Sequence, residues 1–180
     1  TPVLARFVKL NVTNAGTDID EVEVYASSID NELVVVPASP SVGALECRGG
    51  TTFFHCNAQP FDTSPDLASL ANGAAPAVAK DSAHGSFHQQ VFANDGAYGN
   101  GSSWIAGTSN SWLKIDLGQV RLIDRLALGR DRTGGYDDRD PGQFTIEVAL
   151  SDNIYANGND VDDSAEYTRV FDSSAAGFSG

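Results

Sequence analysis

Apolar and polar positions alternate along several stretches of this chain with the period of two expected of half-buried strands. Across residues 4–13, Val8, Leu10 and Val12 fall on one face, while Arg6 and Lys9 keep their charges toward water. Asn14-Ala15-Gly16-Thr17 reads as a turn and residues 19–25 as a second strand. Leu33-Val34-Val35-Val36 is a short apolar strand stopped by Pro37, and residues 51–56 form another β-prone run. Trp112-Leu113-Lys114-Ile115-Asp116-Leu117-Gly118 alternates again, and residues 167–171 read as a return strand.

Between these runs the pattern thins. Residues 65–86 are rich in Ala, Ser, Gly and Asn, with only Leu67, Leu70 and Val78 to pack, which predicts a short helix near 65–72 and then a surface loop. Residues 173–180 read as a flexible tail or linker, leaving residues 1–172 as one domain. The length of 180 residues suits a single core. With 41% apolar residues, 18 Gly, no Met and many Ser, Thr and Asn, the composition is turn-rich and all-β.

A net charge of −13 argues against nucleic acid and against anionic membrane surfaces, and fits a secreted or saline setting, cation binding, or simple solubility. No apolar run approaches the roughly 20 residues of a membrane-spanning helix. No signal peptide is present, and Thr1-Pro2 reads as a start left by processing or cloning.

Residues 92–117 organise the rest. An Asn94-Asp95-Gly96 turn leads through glycines and hydroxyls to Trp104 and then into the alternating segment. A rigid loop carrying an acid and hydroxyls can converge on a cation, and it can equally be a plain turn beside a core Trp.

An Asp-Gly turn, a Ser/Thr-x-Trp, then Trp-Ile/Leu-x-Ile/Val-Asp-Leu-Gly resembles the discoidin family, the coagulation-factor C-type, galactose-binding-like modules. Arg121-Leu122-Ile123-Asp124-Arg125-Leu126-Ala127-Leu128 resembles the family strand after Asp-Leu-Gly, and residues 143–152 resemble its Tyr-x-Ile-Glu-Val-Ser-x-Asp strand. The resemblance covers roughly residues 88–172 and implies an antiparallel β-sandwich of jelly-roll type. Ala5-Arg6-Phe7-Val8-Lys9-Leu10 and Glu21-Val22-Glu23-Val24-Tyr25 match motifs that usually end the domain, yet here they begin it. Either the module is circularly permuted, the reading favoured here, or these strands belong to a preceding repeat. Residues 26–90 then form a long loop-rich insertion relative to the family, where specificity peculiar to this protein would reside.

The resemblance also implies a structural calcium beneath the Asn-Asp-Gly loop. Its oxygens would come from Asp95, the hydroxyls of Ser102 or Ser103 and the carbonyls of Ala97 or Asn100. Glu21 matches the family's acidic strand residue, with Glu23 one pleat further along the same face.

Cys47 and Cys56 frame eight residues with a Gly-Gly turn, a spacing that lets a hairpin bring the sulfurs together as a disulfide in an oxidising compartment. Metal ligation with His55, His84 and His88 is the rival, but the paired Cys-x-x-Cys spacing of zinc sites is missing.

The segment 129–141 interleaves Arg130, Arg132 and Arg139 with aspartates and Tyr136. Such a loop can be salt-bridged to itself, or its planar donors and aromatic face can bind a sugar, with His88 as a further contact. A family branch found in large secreted or envelope proteins carries a similar loop. The acidic stretch 152–163 fails the EF-hand spacing and reads as a solvated hairpin tip.

There is no Gly-x-Ser-x-Gly elbow, His-Glu-x-x-His, phosphate-cradling loop or dinucleotide fingerprint. The chain is therefore read as a non-enzyme: a carbohydrate-binding module of a larger secreted, periplasmic or cell-surface protein. The alternative is an adhesive domain that contacts proteins in an extracellular assembly.

Overall fold

A computed structural model describes residues 2–26, 65–83, 86–99, 101–129, 141–152 and 167–175, together with the backbone of 47–49 and 54–56. The described elements are strands and 3-10 turns, with no α-helix among them. In chain order the strands are β1 (Val3–Val12), β2 (Asp18–Ile19), β3 (Glu21–Ala26), β4 (Cys47–Gly49), β5 (Phe54–Cys56), β6 (Val78–Ala79), β7 (Trp104–Ile105), β8 (Ser111–Gly129), β9 (Phe144–Ala149) and β10 (Thr168–Asp172). They make an antiparallel all-β sandwich. The main sheet runs β10-β9-β1-β8-β3, with β6 also on β8, and β2 pairs with β7 in a small second sheet.

The two N-terminal strands are integral to this sheet. Strand β1 lies between β8 and β9, and β3 pairs with the far half of β8, Val24 opposite Leu126. Val8, Leu10, Val12, Val22 and Val24 all enter the core, as their alternation implies.

The segments 112–118 and 121–128 form one continuous strand. Its register against β1 shifts between the Ala5–Arg121 and Phe7–Asp116 pairs. Within this irregularity Gly118 has φ 79°, and a Cβ there would lie 2.9 Å from the Gly73 carbonyl oxygen. Only glycine fits both constraints, so the long strand changes register without ending.

The Ala-rich stretch is not a surface loop. It makes a 3-10 turn, Leu70–Asn72, instead of the expected helix, and it adds β6 to the sheet. Ala68, Ala74 and Ala77 enter the core beside Ala93 and Trp104. Small side chains let this irregular backbone approach the sheet closely, so poverty in large apolar residues marks tight packing here.

Asn94, fully buried, holds the layer together. Its Nδ2 donates to the carbonyls of Ala68 and Ala75 at 2.8 and 2.9 Å, and its Oδ1 accepts from Ala77 N at 3.1 Å. Trp104 donates its indole N–H to the Asp81 carbonyl at 2.7 Å.

The outer face overturns a second expectation. Lys9 does not reach water: it is 2% exposed, as is its cross-strand neighbour Lys114. Lys114 Nζ lies 2.9 Å from Asp152 Oδ2, and Lys9 Nζ lies 3.9 Å from Glu147 Oε2. Lys114 sits 4.9 and 5.1 Å from the ring centroids of Trp112 and Tyr167, and Lys9 sits 6.0 and 5.4 Å from the same rings. Aromatic faces and carboxylates thus replace water around two ammonium groups. Arg6 behaves as expected, part exposed, with a bidentate pair to Asp116 at 3.0 Å for both contacts.

Two other boundaries move. Asp152 is not part of a solvated tip, because its side chain is buried against Lys114 and Tyr167. Ser173 does not begin a free tail: it is fully buried and pairs with the Phe144 backbone, its Oγ accepting from Phe144 N at 2.8 Å. The runs 33–36 and 153–163 lie outside the described residues.

In the β4–β5 pair, Cys47 and Cys56 stand directly opposite. Opposed residues of an antiparallel pair have Cα atoms about 4.5–5.5 Å apart, inside the range a disulfide spans. Alkylation and intact-mass measurement of the unreduced protein is expected to give no thiol adduct; two adducts would show free cysteines. Replacing Asn94 with Ala is expected to cost about 2–4 kcal/mol in denaturant unfolding, because three buried backbone groups lose their partner.

Candidate functional site

The site grows from a short run of buried acids. Asp18, Asp20, Glu21 and Glu23 are all buried, although they fall within six consecutive residues. The alternation of β3 explains half of this: Val22 and Val24 point into the core, which puts Glu21 and Glu23 on the opposite side. There they meet the turn that follows the 3-10 segment Gln90–Asn94.

Backbone N–H groups of that turn are aimed at the acids. Gly96 N donates to Glu21 Oε2 at 3.0 Å and Gly99 N to Asp20 Oδ2 at 3.0 Å. Asp95 closes its own turn by accepting from Ala97 N at 2.8 Å. Glu23 accepts from the Tyr25 hydroxyl at 2.8 Å and from the Tyr98 hydroxyl. The Tyr98 ring packs on Gly129, where a Cβ would lie 2.5 Å from its Cε1.

This run and the turn before it hold the described residues on either side of segment 130–140. Asp20 N donates to the Gly129 carbonyl at 3.0 Å, at the end of β8. At the other end Thr17 Oγ1 donates to the Pro141 carbonyl at 3.3 Å, and Thr13 N to that of Gln143 at 3.1 Å. Gly142, with φ 61°, packs against Asn14 so closely that a Cβ would meet Asn14 Nδ2 at 2.4 Å.

Among the expected metal residues, Glu21, Asp95 and Ala97 therefore come together. Ser102 sits on the same loop, its N–H bonded to the Gly99 carbonyl at 2.8 Å. Ser103 is fully buried, and its hydroxyl is hydrogen-bonded to His88 Nδ1 at 2.9 Å. That bond joins an expected metal residue to an expected sugar contact. Asn100, Arg130, Arg132, Tyr136, Arg139 and His84, and the side chains of Cys47, His55 and Cys56, lie outside the described residues.

Burial dominates the electrostatics. It pushes the Glu21 carboxyl up to about 9, with Asp66, Asp95 and Glu23 adding repulsion against the relief of the Gly96 N–H. Glu21 Oε1 is buried without a hydrogen-bond partner among the described residues. Burial also raises Asp66 to about 6, against the pull of the Val24 and Ala68 N–H groups. Such a carboxyl is stable as the acid, or as the anion with a cation beside it.

Among the described residues no three acidic, histidine or cysteine side chains converge on one point. A cation at Glu21 would thus draw mainly on carbonyl oxygens, which suits a hard ion such as calcium better than zinc.

Asp20, Asp66 and Tyr98 were not legible as site residues. Tyr98 and Asp20 sit beside residues singled out in the sequence, so the Asp-Ile-Asp-Glu run and the turn aromatic were the available signals. Asp66 had none, since its contact with β3 spans 42 residues.

No family model, curated protein or solved structure matches this chain, so its functional reading rests on this geometry and on its sequence motifs.

Proposed function

We propose that the chain is a non-catalytic carbohydrate-binding module of an extracellular, periplasmic or cell-surface protein, a circularly permuted relative of the discoidin domains. The observation that carries the reading is that Gly129 and Pro141, the residues flanking segment 130–140, are both bonded to the buried 17–20 run, which also holds the 96–99 turn. The residues on either side of the segment that carries Arg130, Arg132, Tyr136 and Arg139 in the sequence thus form a fixed base. Fixing the base lowers the ordering cost of binding, and planar guanidinium groups with an aromatic face suit a sugar's hydroxyls and ring. The adhesive alternative has less support. The edge strand β10 is five residues long, broken by a register shift between Arg169 and Phe171, and carries an exposed arginine, all of which discourage strand addition.

A calcium ion completes this reading. Glu21 and Asp95 would hold it with a hydroxyl from Ser102 and the carbonyls of Ala97 or Asn100, while the Ser103 hydroxyl is already engaged by His88. The ion would supply positive charge to a buried carboxylate and tie β3 to the loop.

The pH dependence follows from the sign of the Glu21 shift. Without a cation the folded protein keeps the Glu21 proton up to about pH 9, whereas the unfolded chain releases it near 4.5. Stability of the cation-free protein therefore falls as pH rises between these values, and Asp66 adds in the same direction up to about 6. Calcium binds the ionised form. A chelator is expected to lower Tm by about 5–10 °C at pH 8 and by much less at pH 5.5. Glu21→Gln should remove the difference; equal wild-type midpoints with calcium and chelator at pH 8 would rule the ion out.

Sugar recognition is tested on a glycan array, followed by titration of the best binder. Affinity is expected in the millimolar to micromolar range, about −4 to −8 kcal/mol. Tyr136→Ala should weaken it while leaving Tm nearly unchanged. Loss of stability with binding intact would make the segment structural.

A further inference from the structure

We propose that the outer face of the main sheet carries a separate binding site for one neutral sugar residue, built from Asn11, Trp112, Thr145, Glu147 and Arg169. These side chains line an open cavity of about 460 Å³, within the size range of small-molecule sites. They come from four adjacent strands. Asn11 on β1 is the register partner of both Trp112 on β8 and Thr145 on β9. One step along, Glu147 on β9 stands between Lys9 on β1 and Arg169 on β10.

Three polar groups of this row are uncommitted. The Trp112 indole N–H makes no hydrogen bond with the described residues, although the ring is held beneath Lys9 and Lys114 and is only 8% exposed. Asn11 Nδ2 donates to Thr145 Oγ1 at 3.1 Å, and this is the only hydrogen bond either side chain makes among the described residues. That leaves the Asn11 carbonyl oxygen as an acceptor and the Thr145 hydroxyl hydrogen as a donor. Arg169 is held between two carboxylates, at 3.2 Å from Asp172 and at only 3.5 Å from Glu147, and a ligand hydroxyl can enter the looser Glu147 pair.

The chemistry selects the ligand. Lys9 and Arg169 are balanced by Glu147 and Asp172 in the lining, so neither an anion nor a cation is favoured. Alternating donors and acceptors beside an indole match the vicinal hydroxyls of a pyranose. The groups stand on paired strands with buried neighbours, so the arrangement exists before binding. None of these residues belongs to the segment 130–140, and the inference does not depend on the loop reading.

The chain has two tryptophans, which makes the test direct. Trp104 is fully buried with its indole N–H on the Asp81 carbonyl, so it serves as an internal control. The probes are methyl glycosides of neutral hexoses, with glucuronic acid and glucosamine as charged comparisons, followed by the two indole N–H resonances. The expected result is a saturable shift of the Trp112 signal with a neutral glycoside while Trp104 stays still. Thr145→Val, which keeps the side-chain shape, should weaken that binding about three- to tenfold, and Tyr136→Ala should leave it unchanged. No saturable shift with any neutral glycoside, tighter binding of a charged sugar, or binding indifferent to Thr145→Val would each overturn the site. If Tyr136→Ala alone abolished binding, the sugar would belong to the loop and not to this face. Binding that responds to Thr145→Val and not to Tyr136→Ala would instead support this face and count against the loop.

Discussion

The burial of four carboxyl side chains in the run Asp18–Glu23 is the constraint on which one end of this molecule depends. A carboxylate withdrawn from water needs hydrogen-bond donors or a counter-charge. The protein supplies donors, and each one comes from a segment that must be positioned: Gly96 and Gly99 from the turn, Tyr25 from β3, Tyr98 from the loop. The acids therefore order the loops, while the Asp20 backbone bonds to Gly129 and the neighbouring Thr17 hydroxyl to Pro141. A hard cation at Glu21 would extend this logic, since Glu21 Oε1 is buried without a hydrogen-bond partner among the described residues.

The outer face handles the opposite charge differently. Lys9 and Lys114 are directly opposed like charges, an arrangement that ordinarily weakens a sheet. Here Glu147 and Asp152 neutralise them while Trp112 and Tyr167 offer ring faces. The result is a rigid, electrically balanced surface whose remaining polar groups are held in register by the strands. Charge used in this way shapes a site without giving it a net field.

The core follows the same economy of space. Alanines at 68, 74, 77 and 93 let irregular backbone lie close to Trp104, and Asn94 supplies the hydrogen bonds that such backbone cannot find in a ladder. Gly118 and Gly129 serve where backbone meets the Gly73 carbonyl and the Tyr98 ring.

What the sequence alone determined is local and periodic. Alternation at Val8, Leu10, Val12, Val22 and Val24 named the inward faces of β1 and β3, because a strand's side chains alternate whatever lies beyond it. The Asn-Asp-Gly turn, the buried Trp104 and the opposition of Cys47 to Cys56 were legible from spacing for the same reason. The second face of each strand was not. Whether Lys9 meets water depends on Tyr167 and Glu147, more than a hundred residues away, and whether the 66–79 segment is surface or core depends on Asn94 and β8. Only tertiary packing could decide those questions, since burial is a property of what folds over a residue and periodicity records only the direction in which it points.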